Sequence, residues 1–385
     1  MSPRTVVILG GGIGGVVAAR RLRHRLASDD RVVLIERDPV FRFAPSYLWV
    51  MHGDRRPDQI TRDLRQLRAK GIEVIEAEVT GIDPAERQVT TSTGETITGD
   101  ALIIALGARL DPASFPGFVE TAHNLYTIEG AQAAGDAVRS ISEGAVAVLV
   151  ASTPYKCPAA PYEAAFLVDD LLRRSAVRDR VTVDIYTPEV LPMPTAGPAI
   201  GNAVVELLAE RGIGFHSGRS ATRIDAATNT LVFADGGDAH ADVLLGVPPH
   251  RPPDVVATSG LAGDSGYIPV DPYTLTTTAP SVFAIGDVTA IPIAGGKFLP
   301  KAGVFAEAEA RVVADQIASQ WYGRKPHHVF DGKGSCFLEI GSGSSAYAGG
   351  DFYAPDGPSM AMRGPGRHWH LTKVAFEKYW MRRWL

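Results

Sequence analysis

Two cysteines, Cys157 and Cys336, are the residues of this 385-residue chain whose side chains offer the most distinctive chemistry. A thiolate is a nucleophile and a redox group, whereas a thiol kept in a reducing compartment is usually inert. The alternative interpretation is therefore two small hydrophobic side chains that are buried and unconnected. The residues around the cysteines have to distinguish these two interpretations.

A glycine-rich turn stands near the N-terminus, between an apolar β-branched run and a helical stretch. The segment Gly10–Gly15 reads GGGIGG and contains the pattern G-x-G-x-x-G. Gly10 permits a tight turn, Gly12 lets the backbone approach a pyrophosphate, and Gly15 lets the helix pack on the strand. The first amides of the helix attract phosphate. Glu36, at the end of the next strand, is placed to accept hydrogen bonds from a ribose.

Two further segments indicate FAD. The segment Ala101–Gly107 resembles the strand ending in A-T-G of flavoprotein reductases, with Leu106 in place of Thr. The segment Thr274–Asp287 resembles their second FAD motif, in which the residue at the position of Asp287 holds the ribityl chain. In this order the motifs resemble the pyridine-nucleotide disulfide reductase superfamily. The cofactor-binding residues predicted from the turn and the resemblance are Gly10, Gly12, Gly14, Gly15, Glu36, Arg37, Pro45, Val79, Ala105, Gly107, Gly286, Asp287, Lys301 and Gly303.

Strand-like apolar runs alternate with helical stretches over most of the chain, which is typical of parallel sheets in α/β proteins. The predicted fold class is α/β, with two Rossmann-like dinucleotide-binding domains of the glutathione-reductase-like type and a C-terminal membrane-interface or interaction segment. Residues 1–112 and 240–325 are expected to form the FAD-binding domain, and residues 113–239 the second Rossmann-like domain. Residues 326–385 form the predicted C-terminal region, with the second cysteine and an aromatic and basic tail.

The second Rossmann-like unit lacks the loop that would bind a nicotinamide cofactor. Its first predicted strand, 145–151, is followed by Ser152–Pro158, which reads STPYKCP. No glycine there allows close backbone approach, and the two prolines remove N–H donors. NADH is therefore not expected to bind, and an atypical loop that still binds NADH stays the alternative.

The cysteine segment Pro154–Glu163 resembles the cysteine loop of sulfide:quinone oxidoreductases and of the flavoprotein subunit of flavocytochrome c sulfide dehydrogenase. Cys336 falls where those families place their second active-site cysteine. The resemblance implies a redox disulfide between Cys157 and Cys336, with Cys336 nearer the flavin and Cys157 carrying a persulfide after attack by sulfide. These families' third cysteine is absent, and so is one that could attach the flavin. Noncovalent FAD is therefore expected.

Three other residues of the predicted site come with alternatives. Glu163 matches an acidic residue of the family's loop and is predicted to relay protons to the sulfur site, against the alternative of a solvated carboxylate at a helix start. Lys301 is predicted to stabilise negative charge on the reduced flavin, against the alternative of a surface lysine. Phe337 is predicted to line a quinone pocket.

The tail, His368–Leu385, mixes aromatic with basic side chains, as a bilayer interface favours. A helix docked on the body or a dimer contact is the alternative. The net charge of −5 gives no reason to expect nucleic acid, and no metal site is predicted. No signal peptide is visible before the first strand, so a peripheral position on the cytoplasmic side of the cell membrane is expected.

The sequence thus predicts an FAD-dependent enzyme that oxidises sulfide to sulfur or polysulfide through the Cys157–Cys336 disulfide and passes the electrons to a membrane quinone. Three alternatives remain open. They are the flavin subunit of a sulfide dehydrogenase with a cytochrome partner, an NADH:quinone oxidoreductase, and a non-catalytic sulfur-sensing flavoprotein. Assembly into a homo-oligomer is also left open.

Overall fold

Two five-stranded parallel sheets form the centre of the protein in the computed structural model, which describes residues 2–323 and 328–385. The strands of the first sheet, in spatial order, are Val282–Ala284, Ala101–Ile104, Thr5–Leu9, Arg31–Glu36 and Glu73–Glu76. Those of the second are His123–Asn124, Val243–Val247, Gly144–Val150, Val181–Tyr186 and Gly214–His216. The central strands are almost entirely buried, as expected for parallel strands covered on both faces.

Helices cover the two sheets, and the chain ends with a helix. In chain order they are α1 Ile13–Arg25, α2 Tyr47–His52, α3 Phe118–Thr121, α4 Ile128–Ser140, α5 Ala160–Arg174, α6 Pro198–Glu210, α7 Asp254–Ala257, α8 Gly303–Trp321 and α9 Arg367–Trp384. Short 3-10 helices span Ala44–Ser46, Pro57–Gln59, Leu64–Lys70, Pro112–Ser114, Arg178–Arg180, Pro194–Ala196 and Gly286–Val288.

Smaller sheets complete the fold. The antiparallel three-stranded sheets are Val79–Asp83 with Gln88–Thr91 and Thr96–Thr98, Ala221–Asp225 with Thr230–Phe233 and Asp238–His240, and Lys333–Gly341 with Ser344–Asp351 and Ser359–Gly366. The strand pairs are Val40–Arg42 with Thr61–Asp63, Arg109–Leu110 with His250–Arg251, Ile268–Pro269 with Thr289–Ala290, and Pro292–Ile293 with Lys297–Phe298.

The predicted α/β class with two Rossmann-like sheets is confirmed. One strand differs from the predicted division of the chain. Val243–Val247 pairs with Gly144–Val150 in the second sheet, so the chain returns to the first sheet only after residue 247, later than the predicted boundary at 240. A buried apolar run carries no local mark of the sheet that it joins, because strand pairing is a non-local choice. The predicted boundary at residues 325 and 326 lies outside the described residues.

The C-terminal tail is helix α9, and its inner face packs on the body of the protein. Trp380 is 1 % exposed and stacks on Phe41 with ring centroids 5.2 Å apart. Trp384 is also buried. These two aromatic side chains are therefore core residues, as the alternative of a helix docked on the body implies, and they are not available to a bilayer.

The outer face of α9 is different. It exposes two large apolar side chains among basic ones, namely Arg367, Leu371, Lys378, Tyr379, Arg382 and Arg383. In the part of the chain that the structure describes, no helix is both long enough and apolar enough to cross a bilayer.

Candidate active site

A cavity of about 1400 Å³ opens between the carboxyl ends of the first sheet, the cysteine loop before α5, and the C-terminal sheet with α9. Its wall brings together residues of both Rossmann-like units and of the C-terminal region. Of the predicted site residues, all but Gly15 line it: Gly10, Gly12, Gly14, Glu36, Arg37, Pro45, Val79, Ala105, Gly107, Cys157, Glu163, Gly286, Asp287, Lys301, Gly303, Cys336 and Phe337.

The glycine-rich turn forms one end of this cavity. Gly10 has φ +98°, and a Cβ there would lie 2.4 Å from the carbonyl oxygen of Ala105. A Cβ on Gly15 would lie 1.8 Å from the carbonyl oxygen of Gly10, which explains its place behind the wall. At Gly12, the residue before α1, a Cβ would meet nothing within 4 Å. The turn therefore leaves open space in front of a helix N-terminus, where backbone N–H groups bind phosphate.

These features fit a dinucleotide such as FAD. The α1 N-terminus carries no acidic residue in its first turn that would compete with a phosphate. Glu36 lies on the wall, where its carboxylate accepts from the amide of Gly11 at 2.6 Å and from that of Asp38 at 3.1 Å. Asp287 follows Gly286, which has φ +73°, and both residues line the same cavity. The site residues can thus supply a phosphate cradle and two carboxylates for sugar hydroxyls.

Cys157 lies in a tightly held loop just before α5. Its φ of +51° is unusual for a residue with a side chain. The amide of Cys157 donates to the carbonyl oxygen of Lys301 at 2.7 Å, and the Tyr126 hydroxyl donates to that of Lys156 at 2.7 Å. The first bond ties the loop to the FAD-binding unit, the second ties it to Tyr126 of its own unit, and Cys157 lies on the cavity wall.

The two thiols are free, so the predicted disulfide is not present in this structure. Both side chains are exposed to the cavity, but protein surrounds the cavity and limits the solvation of a thiolate. This desolvation raises the pKa of Cys157 to about 12, and the charge of Glu163 adds to the rise. Desolvation also raises the pKa of Cys336 well above its ordinary value, and a charge on Cys157 adds to that rise.

A buried charge cluster lies beside the thiols, and its central cation was missed by the sequence analysis. Lys373 of α9 donates to Glu163 at 2.6 Å, and its Nζ lies 3.9 Å from Glu339. His370 Nδ1 lies 2.9 Å from the other oxygen of Glu339. Glu163 is 5 % exposed, so the alternative of a solvated carboxylate at the start of α5 is wrong.

The charges of the cluster act on one another and on both cysteines. Desolvation and the neighbouring Glu339 raise the pKa of Glu163. Burial alone would lower the pKa of Lys373, but the charges of Glu163 and Glu339 outweigh this and raise it. The ammonium group in turn lowers the pKa of Cys157 and of Cys336, against the stronger effect of desolvation. Lys373 is therefore the cation that favours thiolate formation in this cavity.

The sequence carried a signal for Lys373. The buried residues Lys373, Glu377, Trp380 and Trp384 follow one another at spacings of four, three and four, which place them on one face of a helix. Glu377 accepts from Arg55 at 2.8 Å and from the Ser46 hydroxyl. The prediction for the tail rests on its mixture of basic and aromatic residues, whereas this spacing separates a buried face from an exposed one.

Lys301 is partly buried and its ammonium group is bonded to backbone, so the alternative of a free surface lysine is wrong. Its Nζ donates to the carbonyl oxygens of Asp287 at 2.7 Å and Thr289 at 3.0 Å, and lies 3.5 Å above the ring of Tyr267. Burial lowers the pKa of Lys301 to about 8. Its ammonium group is thus bonded to backbone beside the second flavin motif, and a direct contact with flavin stays a prediction.

Phe337 begins an aromatic wall between the cavity and α9. Its ring centroid lies 5.4 Å from that of Tyr347, which stacks on Trp369 at 4.6 Å. All three side chains line the cavity. An apolar, aromatic wall with few polar groups is typical of a site for a flat organic molecule.

Replacing Lys373 by methionine is expected to slow thiolate reactions at both cysteines. Without the ammonium group their pKa values rise further, and each unit means about tenfold less thiolate. We expect the alkylation of the pre-reduced protein by iodoacetamide at about pH 9 to slow by roughly that factor. The matched control is Lys378→Met, one turn further along α9 on its exposed face. Equal rates in both variants would contradict the role of Lys373.

Comparison with known proteins agrees with this geometry. The family model described as pyridine nucleotide-disulphide oxidoreductase matches residues 4–310. The sulfide-quinone reductase of Aquifex aeolicus is 27 % identical in an alignment that covers 98 % of this chain and 90 % of that protein. The mitochondrial sulfide:quinone oxidoreductase of Mus musculus is 25 % identical, over 87 % of this chain and 75 % of that protein.

The fold extends the likeness to the whole chain. The crystal structure of the sulfide:quinone oxidoreductase from Aquifex aeolicus has a TM-score of 0.89 and 26 % identity, and covers 99 % of this chain and 91 % of that one. The predicted resemblance to sulfide:quinone oxidoreductases is confirmed. The chain is an FAD-dependent oxidoreductase that belongs to the pyridine nucleotide-disulphide oxidoreductase family.

Proposed function

We propose that this protein oxidises sulfide with Cys157 and Cys336 as its redox pair and passes two electrons through FAD to a quinone. The observation that carries the proposal is that one cavity contains both thiols together with the glycine turn and Asp287. The named relatives oxidise sulfide with quinone as acceptor. The loop STPYKCP, whose prolines supply no N–H donors, argues against NADH as the donor.

In the oxidised enzyme the cysteines form a disulfide, which requires the Cys157 loop or the strand Lys333–Gly341 to move from its position here. One HS⁻ attacks the sulfur of Cys157, so that a persulfide forms there and Cys336 leaves as a thiolate. A second HS⁻ attacks the outer sulfur of the persulfide, which releases hydrogen disulfide (H2S2) and leaves Cys157 as a thiolate. The resulting dithiolate gives up two electrons and closes again to the disulfide.

The flavin supplies a two-electron acceptor that can be reoxidised by a quinone. The protein's own residues stabilise the thiolates and transfer protons near the flavin. Lys373 stabilises each thiolate as it forms, and Glu163 accepts or returns the proton that accompanies it. His370, also on α9 and paired with Glu339 of the cluster, is partly exposed and offers a route for that proton to solvent.

We propose the aromatic wall as the quinone site. Phe337 is next to Cys336 in sequence, and its ring belongs to the stack with Tyr347 and Trp369. A quinone ring stacks favourably on such side chains. The wall lies between the cavity and the exposed face of α9, so a lipid-soluble acceptor would have a short path from the surface.

We also propose that FAD is bound noncovalently. Cys157 and Cys336 are the two cysteines of the chain, and both belong to the proposed redox pair. Precipitation of the purified protein with acid is expected to release the flavin into the supernatant. Flavin that stays with the precipitate would contradict this proposal.

The function is tested by anaerobic mixing of the purified flavoprotein with sulfide and then with decylubiquinone, with the flavin absorbance followed throughout. We expect sulfide to bleach the flavin and the quinone to restore it, whereas NADH leaves it oxidised. Bleaching by NADH and not by sulfide would contradict the proposal. Bleaching by sulfide without recovery on adding quinone would favour a cytochrome acceptor or a sensor.

The exposed face of α9 is proposed to attach the protein to a membrane as a peripheral protein. Leu371 and Tyr379 are 64 % and 60 % exposed, and basic side chains flank them. Exposed apolar and aromatic residues among basic ones suit the boundary between headgroups and acyl chains of anionic lipids. The cytoplasmic side of the cell membrane stays the predicted location.

The double variant Lys378→Glu and Arg382→Glu is expected to bind vesicles of phosphatidylcholine and phosphatidylglycerol at least about tenfold more weakly than the parent, because each basic residue near the surface contributes about 1 kcal/mol. Binding is measured by co-sedimentation at low salt. The control exchanges Arg180 and Arg223 of the second unit for glutamate, an equal change of net charge. Equal losses in the two variants would show a general charge effect and refute the role of α9.

A further inference from the structure

A second, small cavity lies directly behind the wall of the active-site cavity. Its volume is about 10 Å³, close to the space that one water molecule needs. The residues that line both cavities are Gly286, Pro300, Lys301, Ala302 and Phe305. The carboxylate of Glu309, from α8, is the acidic group in the small cavity.

Glu309 is a buried acid that the proposed sulfide chemistry does not use. It is 1 % exposed, and its Oε2 accepts from the amide of Gly286 at 2.5 Å. Since Gly286 also lines the main cavity, one peptide unit separates this carboxylate from the site of the second flavin motif. Among the described residues, no cation lies within ion-pair distance of Glu309.

The charged and titratable groups that face Glu309 come from three parts of the chain. Asp287 follows Gly286, Lys301 precedes α8, and Tyr353 lies in the turn after the strand Ser344–Asp351. The hydrogen bonds of Lys301 Nζ go to the carbonyl oxygens of Asp287 and Thr289, not to Glu309. Desolvation raises the pKa of Glu309 to about 7 against the effect of the hydrogen bond from Gly286; the charge of Asp287 adds to the rise, and that of Lys301 opposes it.

We propose that Glu309 takes up a proton when the flavin is reduced and releases it when the flavin is reoxidised. Addition of two electrons and one proton to the bound flavin gives it one additional negative charge. A buried carboxylate one peptide unit behind the wall is destabilised by that charge, and it responds by binding a second proton. Reoxidation by a two-electron acceptor removes the charge, and the carboxylate gives its proton back.

The observations favour this role over a purely structural one. A hydrogen bond to Gly286 would need only a neutral acceptor, whereas an unpaired carboxylate in this position costs desolvation energy. The small cavity offers a place for a water molecule between the carboxylate and Lys301, through which a proton can move. The inference requires bound flavin and does not depend on sulfide as the donor.

The test is a spectroelectrochemical titration of the flavin in the holoprotein from about pH 7 to about pH 8.5, for the parent and Glu309→Gln. Glutamine keeps an oxygen that accepts from Gly286 and removes the titration. We expect two protons per two electrons in the parent, a potential that falls by about 59 mV per pH unit. Glu309→Gln should take up one proton per two electrons, so its potential should fall by about 30 mV per pH unit.

The control is Asp315→Asn, which removes a charge from the same helix. Asp315 pairs with Arg21 and Arg25, and its pKa is lowered overall because these partners outweigh the desolvation, so it does not titrate in this range. Its slope should equal that of the parent. A parent slope of one proton per two electrons, or equal slopes in the parent and Glu309→Gln, would overturn the proposal.

A second measurement uses the unaltered holoprotein, in case Glu309→Gln loses its flavin. The infrared difference spectrum of reduced minus oxidised protein should contain a positive carbonyl band of a newly protonated carboxyl group. The band should shift on labelling with ¹³C-glutamate and remain in Asp315→Asn. The absence of any such band that shifts with the label would overturn the proposal.

Discussion

Replacing Cys336 by serine is expected to abolish the reduction of the flavin by sulfide while FAD stays bound. A serine hydroxyl can neither form the disulfide nor leave as an anion near neutral pH, so the loss should be roughly a thousandfold or more. FAD should stay because Cys336 faces the cavity from the strand Lys333–Gly341, where its Sγ donates a hydrogen bond to the carbonyl oxygen of Phe337 at 3.3 Å and serine can donate in its place.

The measurement is the anaerobic rate of flavin bleaching by sulfide, with the flavin content of parent and variant compared first. Reduction by dithionite serves as the control, because this donor reaches the flavin without the cysteines and should bleach both proteins. Sulfide reduction at the parent's rate in Cys336→Ser would refute the redox pair. A variant that binds no FAD would point instead to a structural role for this side chain.

Replacing Gly12 by aspartate is expected to remove FAD and leave the fold intact. The backbone of Gly12, at φ −72° and ψ −168°, suits any residue, and a Cβ there meets no atom within 4 Å. Aspartate is a favourable residue before a helix, so the flavin-free protein should be as stable as the parent or more stable by a few tenths of a kcal/mol. Its carboxylate would occupy the space in front of α1 and repel a phosphate.

We expect the affinity for FAD to fall by about a hundredfold or more, since a negative charge replaces the open anion site. FAD binding is measured by titration of the flavin-free protein, and stability by its urea unfolding. The matched control is Gly12→Asn, which has the same shape without the charge and should retain more FAD. Equal losses in both variants would show that volume alone, and not charge, decides binding at this position.

The parts of the site that sequence reasoning could predict are those encoded over short distances. The glycine turn, Glu36 and the segment ending at Asp287 are each read from one strand and the turn that follows it, because their functions require particular residue types at fixed spacing. The carboxyl ends of parallel strands meet at one edge of a sheet, so these separate signals could be expected to converge. The cavity wall bears this out.

Contacts between distant segments could not be predicted in the same way. Lys373 pairs with Glu163 across 210 positions of the sequence, and the residues around each of them give no indication that the two will pair. The strand Val243–Val247 is as apolar as a strand of either sheet, and only its pairing assigns it to the second. Glu309 belongs to a helix of mixed composition. Its burial depends on the first sheet, which places Gly286 against this carboxylate.

The two cysteines show the same division. The sequence by itself determined that this chain has a flavin-binding Rossmann framework, that Ser152–Pro158 contains no glycine, and that its thiols are two in number, because composition and local spacing encode these properties. Only the tertiary structure decided that both thiols face one cavity, that they are free in this state, and that Lys373 from the last helix supplies the nearby positive charge. Thiol chemistry depends on burial and neighbouring charges, and folding sets both by joining segments far apart in the chain.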